Sequence, residues 1–283
     1  MRSVLVMTAT LALLAMPAFA DCTPPAGVDR LAADWAAKTP SVTLDLAGMD
    51  EALCARDALV GKLAESQGRV VGYKAGLTNE AVQERFGTDA PVAGILLEKM
   101  ILEDGVKVPA AYGARPVWEA DLLLVVKDDG INAAKTPEEA LAHISGFRPF
   151  IELPDLVFGP DQKLDGLQLT AINVGARLGV AGGETPLEAS TETVKALADM
   201  KVVARGADGS VLAEGAGAAT LGNPLAAVVW LVEDLAGSGR RLQAGDLISV
   251  GSFTPLTPPK PGETVTVGYE GLPGNPSVSV TFE

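Results

Sequence analysis

Apolar residues recur at helical spacing in five stretches of the chain. Leu31, Trp35 and the alanines line one side of 28–38, and Ala52, Leu53, Leu59 and Leu63 line 50–67, with Gly68 as a stop. A short helix is predicted over Asn79–Phe86, capped by Thr78 or Asn79. Thr136-Pro137-Glu138-Glu139 forms a capping box that opens a helix to Ser145, and Asn223-Pro224 opens another over Leu225–Leu235. Between them lie β-rich runs. Val70–Thr78 reads as a strand entering a glycine turn, Leu122–Val126 as a buried strand and Arg148–Leu153 as another. Thr170–Val180 reads as a glycine-containing strand and Thr185–Met200 as mixed. Lys201–Val211 reads as a hairpin turning at Ala207-Asp208-Gly209. Leu247–Val250, Val265–Tyr269 and Ser277–Phe282 complete the sheet. The pattern predicts a largely β core with attached helices.

The first twenty residues follow a different rule. Arg2 precedes an apolar run, Val4–Met16, that is too short to span a bilayer. Pro17 and Ala18-Phe19-Ala20 then supply a breaker and a cleavage site. This is the pattern of a secretory signal peptide over residues 1–20, with export to the periplasm and a mature start at Asp21. Asp21 in front of Cys22 excludes a lipoprotein signal. Removing the leader's one arginine leaves 21 basic and 36 acidic residues in a mature chain of 263. Such acidity makes nucleic acid or an anionic membrane a poor partner. In an oxidising compartment Cys22 and Cys54 are expected to form a disulfide, closing a loop of about thirty residues for roughly 3 kcal/mol. His143 is the single histidine, so a histidine-rich metal cluster cannot form.

The chemistry concentrates around Arg115–Val126. On a strand, Val117, Glu119, Asp121, Leu123 and Val125 share a face, which places two carboxylates on an otherwise apolar surface. A bound divalent ion would neutralise them. The alternative is a strand whose first half is solvated. Glu152, inside Phe150-Ile151-Glu152-Leu153, repeats the anomaly, with a half-wet edge strand as its plain reading. Lys74 ends a Val/Tyr strand just before Gly76. It reads either as a binder of carboxylate or acid/base group, or as a surface lysine with its stem laid on apolar neighbours.

Five motifs follow one another in order: Gly72-Tyr73-Lys74-Ala75-Gly76-Leu77-Thr78, Glu119-Ala120-Asp121, Pro149-Phe150-Ile151-Glu152, Leu221-Gly222-Asn223-Pro224-Leu225 and Ala244-Gly245-Asp246. With them the chain resembles the 2-keto-4-pentenoate hydratase and oxalocrotonate decarboxylase branch of the fumarylacetoacetase superfamily, from about Leu53 to Phe282. The resemblance implies an α+β fold, with a mixed, β-rich roll or sandwich core (101–283), flanking helices and a small α/β N-terminal region (21–100). It implies Mg²⁺ or Mn²⁺ held by Glu119, Asp121 and Glu152, and Lys74 as proton shuttle. Gly76, Leu77 and the Ser252 hydroxyl would line the substrate. The implied substrate is a small 2-oxo or 2-hydroxy-dienoic acid, the implied reaction hydration, and the expected assembly a homo-oligomer. Decarboxylation, C–C hydrolysis and non-catalytic binding of a 2-oxo acid are the alternatives. Four features depart from the family: Asp121 in place of Glu, Asn173-Val174 in place of an Asp-Asn pair, Asn223 in place of His, and export of an otherwise cytoplasmic kind of enzyme.

Overall fold

A computed structural model describes residues 22–283; the signal peptide expected over residues 1–20, and Asp21, lie outside the described residues. The elements in order are α1 (Val28–Ala37), α2 (Met49–Gln67), β1 (Val70–Gly76), α3 (Glu80–Phe86), β2 (Val92–Leu97), β3 (Ile101–Glu103), β4 (Lys107–Val108), β5 (Glu119–Val126), α4 (Pro137–Ala142), β6 (Ile144–Leu153), α5 (Gly166–Ala171), β7 (Leu178–Ala181), β8 (Thr185–Pro186), α6 (Thr191–Asp199), β9 (Lys201–Gly206), β10 (Val211–Ala216), α7 (Pro224–Gly237), β11 (Leu247–Ser249), β12 (Thr264–Glu270) and β13 (Ser277–Phe282).

Two sheets carry the fold. The larger runs β2-β1-β11-β5-β6-β7-β3, with β8 paired to β6; the smaller runs β10-β9-β12-β13-β4. The last two strands thus belong to a second sheet, rather than closing the one that holds Lys74 and the acids. Residue 100 falls between β2 and β3 of the larger sheet, so the N-terminal region supplies two of its strands. The sheets are locked face to face by Tyr269 of β12. Its buried hydroxyl shares its one proton between the backbone carbonyls of Asp121 and Phe150 and accepts the Phe150 N–H at 3.1 Å. No helix among the described residues is long and apolar enough to cross a membrane.

Local chemistry explains the helix ends. Thr136 Oγ1 accepts the Glu139 N–H at 3.2 Å, the first half of a capping box, while the Glu139 carboxylate reaches past the cap to accept the Lys135 N–H at 2.7 Å. That helix stops at Ala142, short of Ser145, because Ile144 and Gly146 are taken into β6 against Val126 and Val125. Thr170–Val180 is not one strand. It contains the end of α5, a turn at Asn173–Gly175 and the start of β7. Asn173, Val174 and Gly175 have φ of 56°, 54° and 69°. The β-branched residues suggested a strand, but burial at 1–5 % exposure against the edge of β2 imposes a left-handed turn. Cys22 and Cys54 are disulfide-bonded, with Cα atoms 6.1 Å apart, which fastens the lead-in to α2.

Tyr269→Phe removes the one donor that two buried carbonyls share and the acceptor of a buried N–H, and should cost about 2 kcal/mol. Urea unfolding should show a lower midpoint at unchanged slope. An unchanged midpoint would show that the hydroxyl does not hold the sheets together.

Candidate active site

The antiparallel pairing of β5 and β6 sets Glu119 directly opposite Glu152, and Asp121 opposite Phe150. All eight residues of β5 are buried, so the reading with a solvated first half does not hold. Glu119, Asp121 and Glu152 are 8 %, 0 % and 2 % exposed. Lys74, on β1, is 3 % exposed and is not a surface lysine. Its ammonium pairs with Glu152 Oε1 and donates to the Val174 carbonyl at 3.0 Å. Its stem is accommodated by Gly94 on β2, where a Cβ would come within 2.8 Å of Lys74 Cγ.

The acids outnumber the cation, and their ionisation registers it. Burial holds Glu119 well above the usual carboxylate range, with Glu152 and Asp121 adding repulsion and Lys74 opposing it. Burial and then Glu152 push Asp121 up to about 7, against the bonds it receives from Ser249 and Leu122 and the attraction of Lys74. Asp121 is tightly dressed: Leu122 N–H at 2.5 Å, Val250 and Gly251 N–H at 3.1 Å each, and the Ser249 hydroxyl all donate to it. Glu152 Oε2 is buried with no donor. Among the described residues no three acidic, histidine or cysteine side chains form a ready cage for an ion. The three expected ligands adjoin, but Asp121 is turned into the backbone at the end of β11.

The other expected residues divide. Gly76 and Leu77 enter the turn after β1; Leu77 adopts φ 55°, and Gly76 lies so close to Val174 that a Cβ would meet its Cγ1 at 2.4 Å. The Ser252 hydroxyl is spent in its own turn, donating to the Thr254 carbonyl and accepting Thr254 N–H at 3.2 Å. Asn223 caps α7 through Leu225 N–H at 2.9 Å and reaches the Val194 carbonyl, so its role here is structural. His143 is half-buried against Asp128 at 2.7 Å. Sequence reasoning did not single out Ser249, Gly94 or Asn173 for the roles they take here. Ser249 carried the same signal as Glu152, a polar residue inside an apolar strand. Gly94 and Asn173 gave none that spacing could reveal.

Curled mixed sheets carrying buried acids and a lysine define a fumarylacetoacetase-type enzyme fold. Residues 68–275 match the family model described as fumarylacetoacetate (FAA) hydrolase C-terminal, and the chain belongs to that family. It is 34 % identical over 215 residues to 2-keto-4-pentenoate hydratase 2 of Dechloromonas aromatica (strain RCB), covering 76 % of this chain and 79 % of the relative. It is 31 % identical over 218 residues to a 4-oxalocrotonate decarboxylase of Pseudomonas putida, covering 77 % and 79 %. The solved 4-oxalocrotonate decarboxylase from Pseudomonas putida G7, complexed with magnesium and adipate, superimposes with a TM-score of 0.76 at 28 % identity, over 90 % of this chain and 97 % of that one.

A carboxyl whose folded pKa is raised holds its proton more tightly when folded. It therefore weakens the fold as pH climbs from the unfolded value towards the folded one. For Asp121 that window runs from 3.8 to about 7, and Glu119 is displaced in the same direction from 4.5. In EDTA, wild-type protein should lose melting temperature relative to Glu119→Gln as pH rises above the ordinary glutamate value of 4.5. Parallel melting curves for the two proteins would show that Glu119 is not held protonated by its surroundings.

Proposed function

We propose that this protein is a divalent-metal-dependent hydro-lyase of the 2-keto-4-pentenoate hydratase type, acting on a small 2-hydroxy-dienoic or 2-oxo acid. One observation carries the reading: three carboxylates are buried on the paired strands β5 and β6, and the one ammonium that meets them, Lys74, pairs with Glu152. The donor set suits a hard cation, since all three groups offer oxygen and Mg²⁺ needs only one or two carboxylates plus substrate and water. Glu152 Oε2, without a donor, and the raised carboxyls of Glu119 and Asp121 are the features a cation would relieve. Glu119 and Glu152 would hold Mg²⁺ or Mn²⁺ with Asp121 beside them. When bound, the ion supplies charge neutralisation for an enolate. Lys74 moves the proton between dienol and keto forms at its Nζ. The turn at Gly76-Leu77 receives the substrate carboxylate.

The charge balance favours a substrate with one carboxylate. Lys74 is already paired with Glu152, and Arg177 is engaged by Asp155 at 3.1 Å and by the Tyr112 and Trp35 carbonyls. A second substrate carboxylate would add negative charge to a cluster in which acids already outnumber the cation. This supports the hydratase over the decarboxylase, whose oxalocrotonate substrate is a dicarboxylate. Export to the periplasm belongs to the same proposal and is supported by the Cys22–Cys54 disulfide. So does a homo-oligomeric assembly, supported by exposed Val211 and Leu212 on edge strand β10.

A screen of 2-hydroxy-dienoic and 2-oxo acids with Mg²⁺ or Mn²⁺ tests the reaction. Glu152→Gln should weaken metal and substrate binding together. Lys74→Met should still bind metal and oxalate while turnover drops by about a hundredfold or more. Wild-type turnover in Lys74→Met would remove Lys74 as shuttle. Oxalate binding without any turnover by the wild type would favour a 2-oxo acid binding protein.

A further inference from the structure

The larger sheet is rolled until its β2 edge meets the segment that precedes β7, and one side chain closes the seam. Asn173 Oδ1 accepts the Ile95 N–H at 2.7 Å, and its Nδ2 donates to the Ile95 carbonyl at 2.8 Å. The carboxamide thus pairs with the open edge of β2 as a neighbouring strand would. Asn173 is 1 % exposed, and both of its polar atoms are spent on this one residue. The next residue, Val174, is held at φ 54°, a conformation that a β-branched residue adopts only under surrounding constraint. That twist aims the Val174 carbonyl at Lys74 Nζ, 3.0 Å away. From the other side, Gly94 leaves the space in which the Lys74 stem lies; a Cβ there would stand 2.8 Å from Lys74 Cγ and 2.9 Å from the Asn173 carbonyl oxygen.

We propose that Asn173 is a positioning residue for the reaction: by clamping Ile95 it holds the left-handed turn whose Val174 carbonyl fixes the ammonium of Lys74 beside Glu152. A lysine has four rotatable carbons and no intrinsic preference for one direction. Two fixed acceptors, Glu152 Oε1 and Val174 O, together with the Gly94 slot, leave it one place to stand. Asn173 touches neither the acids nor the substrate turn directly, and its effect passes through the backbone of the next residue. The inference rests on Lys74 as the proton carrier, but the placement of Lys74 can be read without any turnover.

The test measures two things on Asn173→Ala in the full chain. One is the rate of reductive methylation of Lys74 by formaldehyde and cyanoborohydride, followed by peptide mass spectrometry, with exposed Lys38 and Lys135 as internal references. The other is kcat and KM on the acid found active with the wild type. Lys74 labelling should rise at least about tenfold. kcat should fall at least about tenfold, with KM held within about threefold, the signature of a misplaced proton carrier. Gln168→Ala is the control for general loosening. It removes the same kind of clamp, from Gln168 to the Leu44 backbone N–H (3.0 Å) and carbonyl (2.8 Å), without contact to Lys74. It should leave Lys74 labelling at the wild-type rate. Should Asn173→Ala not fold, Asn173→Asp carries the test, since it keeps an acceptor for the Ile95 N–H and removes the donor to the Ile95 carbonyl. Unchanged Lys74 labelling in a folded variant, equal labelling in Gln168→Ala, or raised labelling with intact kcat each overturns the proposal. A wild type inactive towards every acid would overturn the hydratase reading, and the labelling comparison would still decide whether Asn173 places Lys74.

Discussion

Three carboxylates buried on adjacent strands, with one ammonium to meet them, are the constraint around which the larger sheet is arranged. In water these groups would ionise independently; out of water each negative charge must find a partner or keep its proton. Asp121 finds backbone N–H groups and the Ser249 hydroxyl, Glu152 finds Lys74, and Glu119 is left with repulsion and burial. Pairing β5 with β6 in the register that opposes Glu119 to Glu152 is unfavourable taken alone, since like charges directly across an antiparallel pair repel. The fold tolerates it because Leu122, Leu123 and Leu124 on the same strand are fully buried and cannot change register without exposure.

The way the rest of the protein treats buried charge sharpens this point. Asp57 is met by two arginines, Arg56 at 2.9 Å and Arg240 at 2.7 Å. Asp155 is met by Arg177 and by the N–H groups of Ala114, Arg115 and Val157, while Arg177 lies over the ring of Trp35 at 4.2 Å. These clusters carry at least as much positive as negative charge, and they join loops and helices. The cluster at Lys74 carries an excess of two acids. Structural ion pairs are satisfied, and a set left unsatisfied by its own chain is one prepared for something it does not itself contain.

Much of this could be read from the residues, for identifiable reasons. Alternation is a property of single strands, so Glu119, Asp121 and Glu152 stood out as acids in apolar runs, and the capping residues Thr136 and Asn223 announced their helices by local chemistry. What did not show is what depends on contacts distant in sequence. Lys74 meets Glu152 across 78 residues and Val174 across 100. Ser252 and Asp121 turn their polar atoms to backbone partners, which strand alternation does not reveal. Asn173–Gly175 was misread because Ile172 and Val174 favour strands intrinsically, and tertiary burial overrode that preference.

The overridden preference is informative about how the site is kept rigid. Leu77, Val174 and Leu221 all hold positive φ, and the segments containing them meet: Leu221 N–H donates to the Thr78 carbonyl at 2.8 Å, and Val174 packs on Gly76. Each such residue costs about 1–3 kcal/mol relative to relaxed backbone. Three of them gathered at the end of β1 could persist only if the surrounding sheet and helices hold them, and those supports are buried apolar side chains such as Leu169, Ile172 and Leu225. The strain is therefore carried by the core rather than by flexible surface loops. A turn fixed in this way offers its backbone carbonyls and N–H groups at set positions before any ligand arrives. In such a turn, the reorganisation that would otherwise oppose proton transfer has already been met by folding.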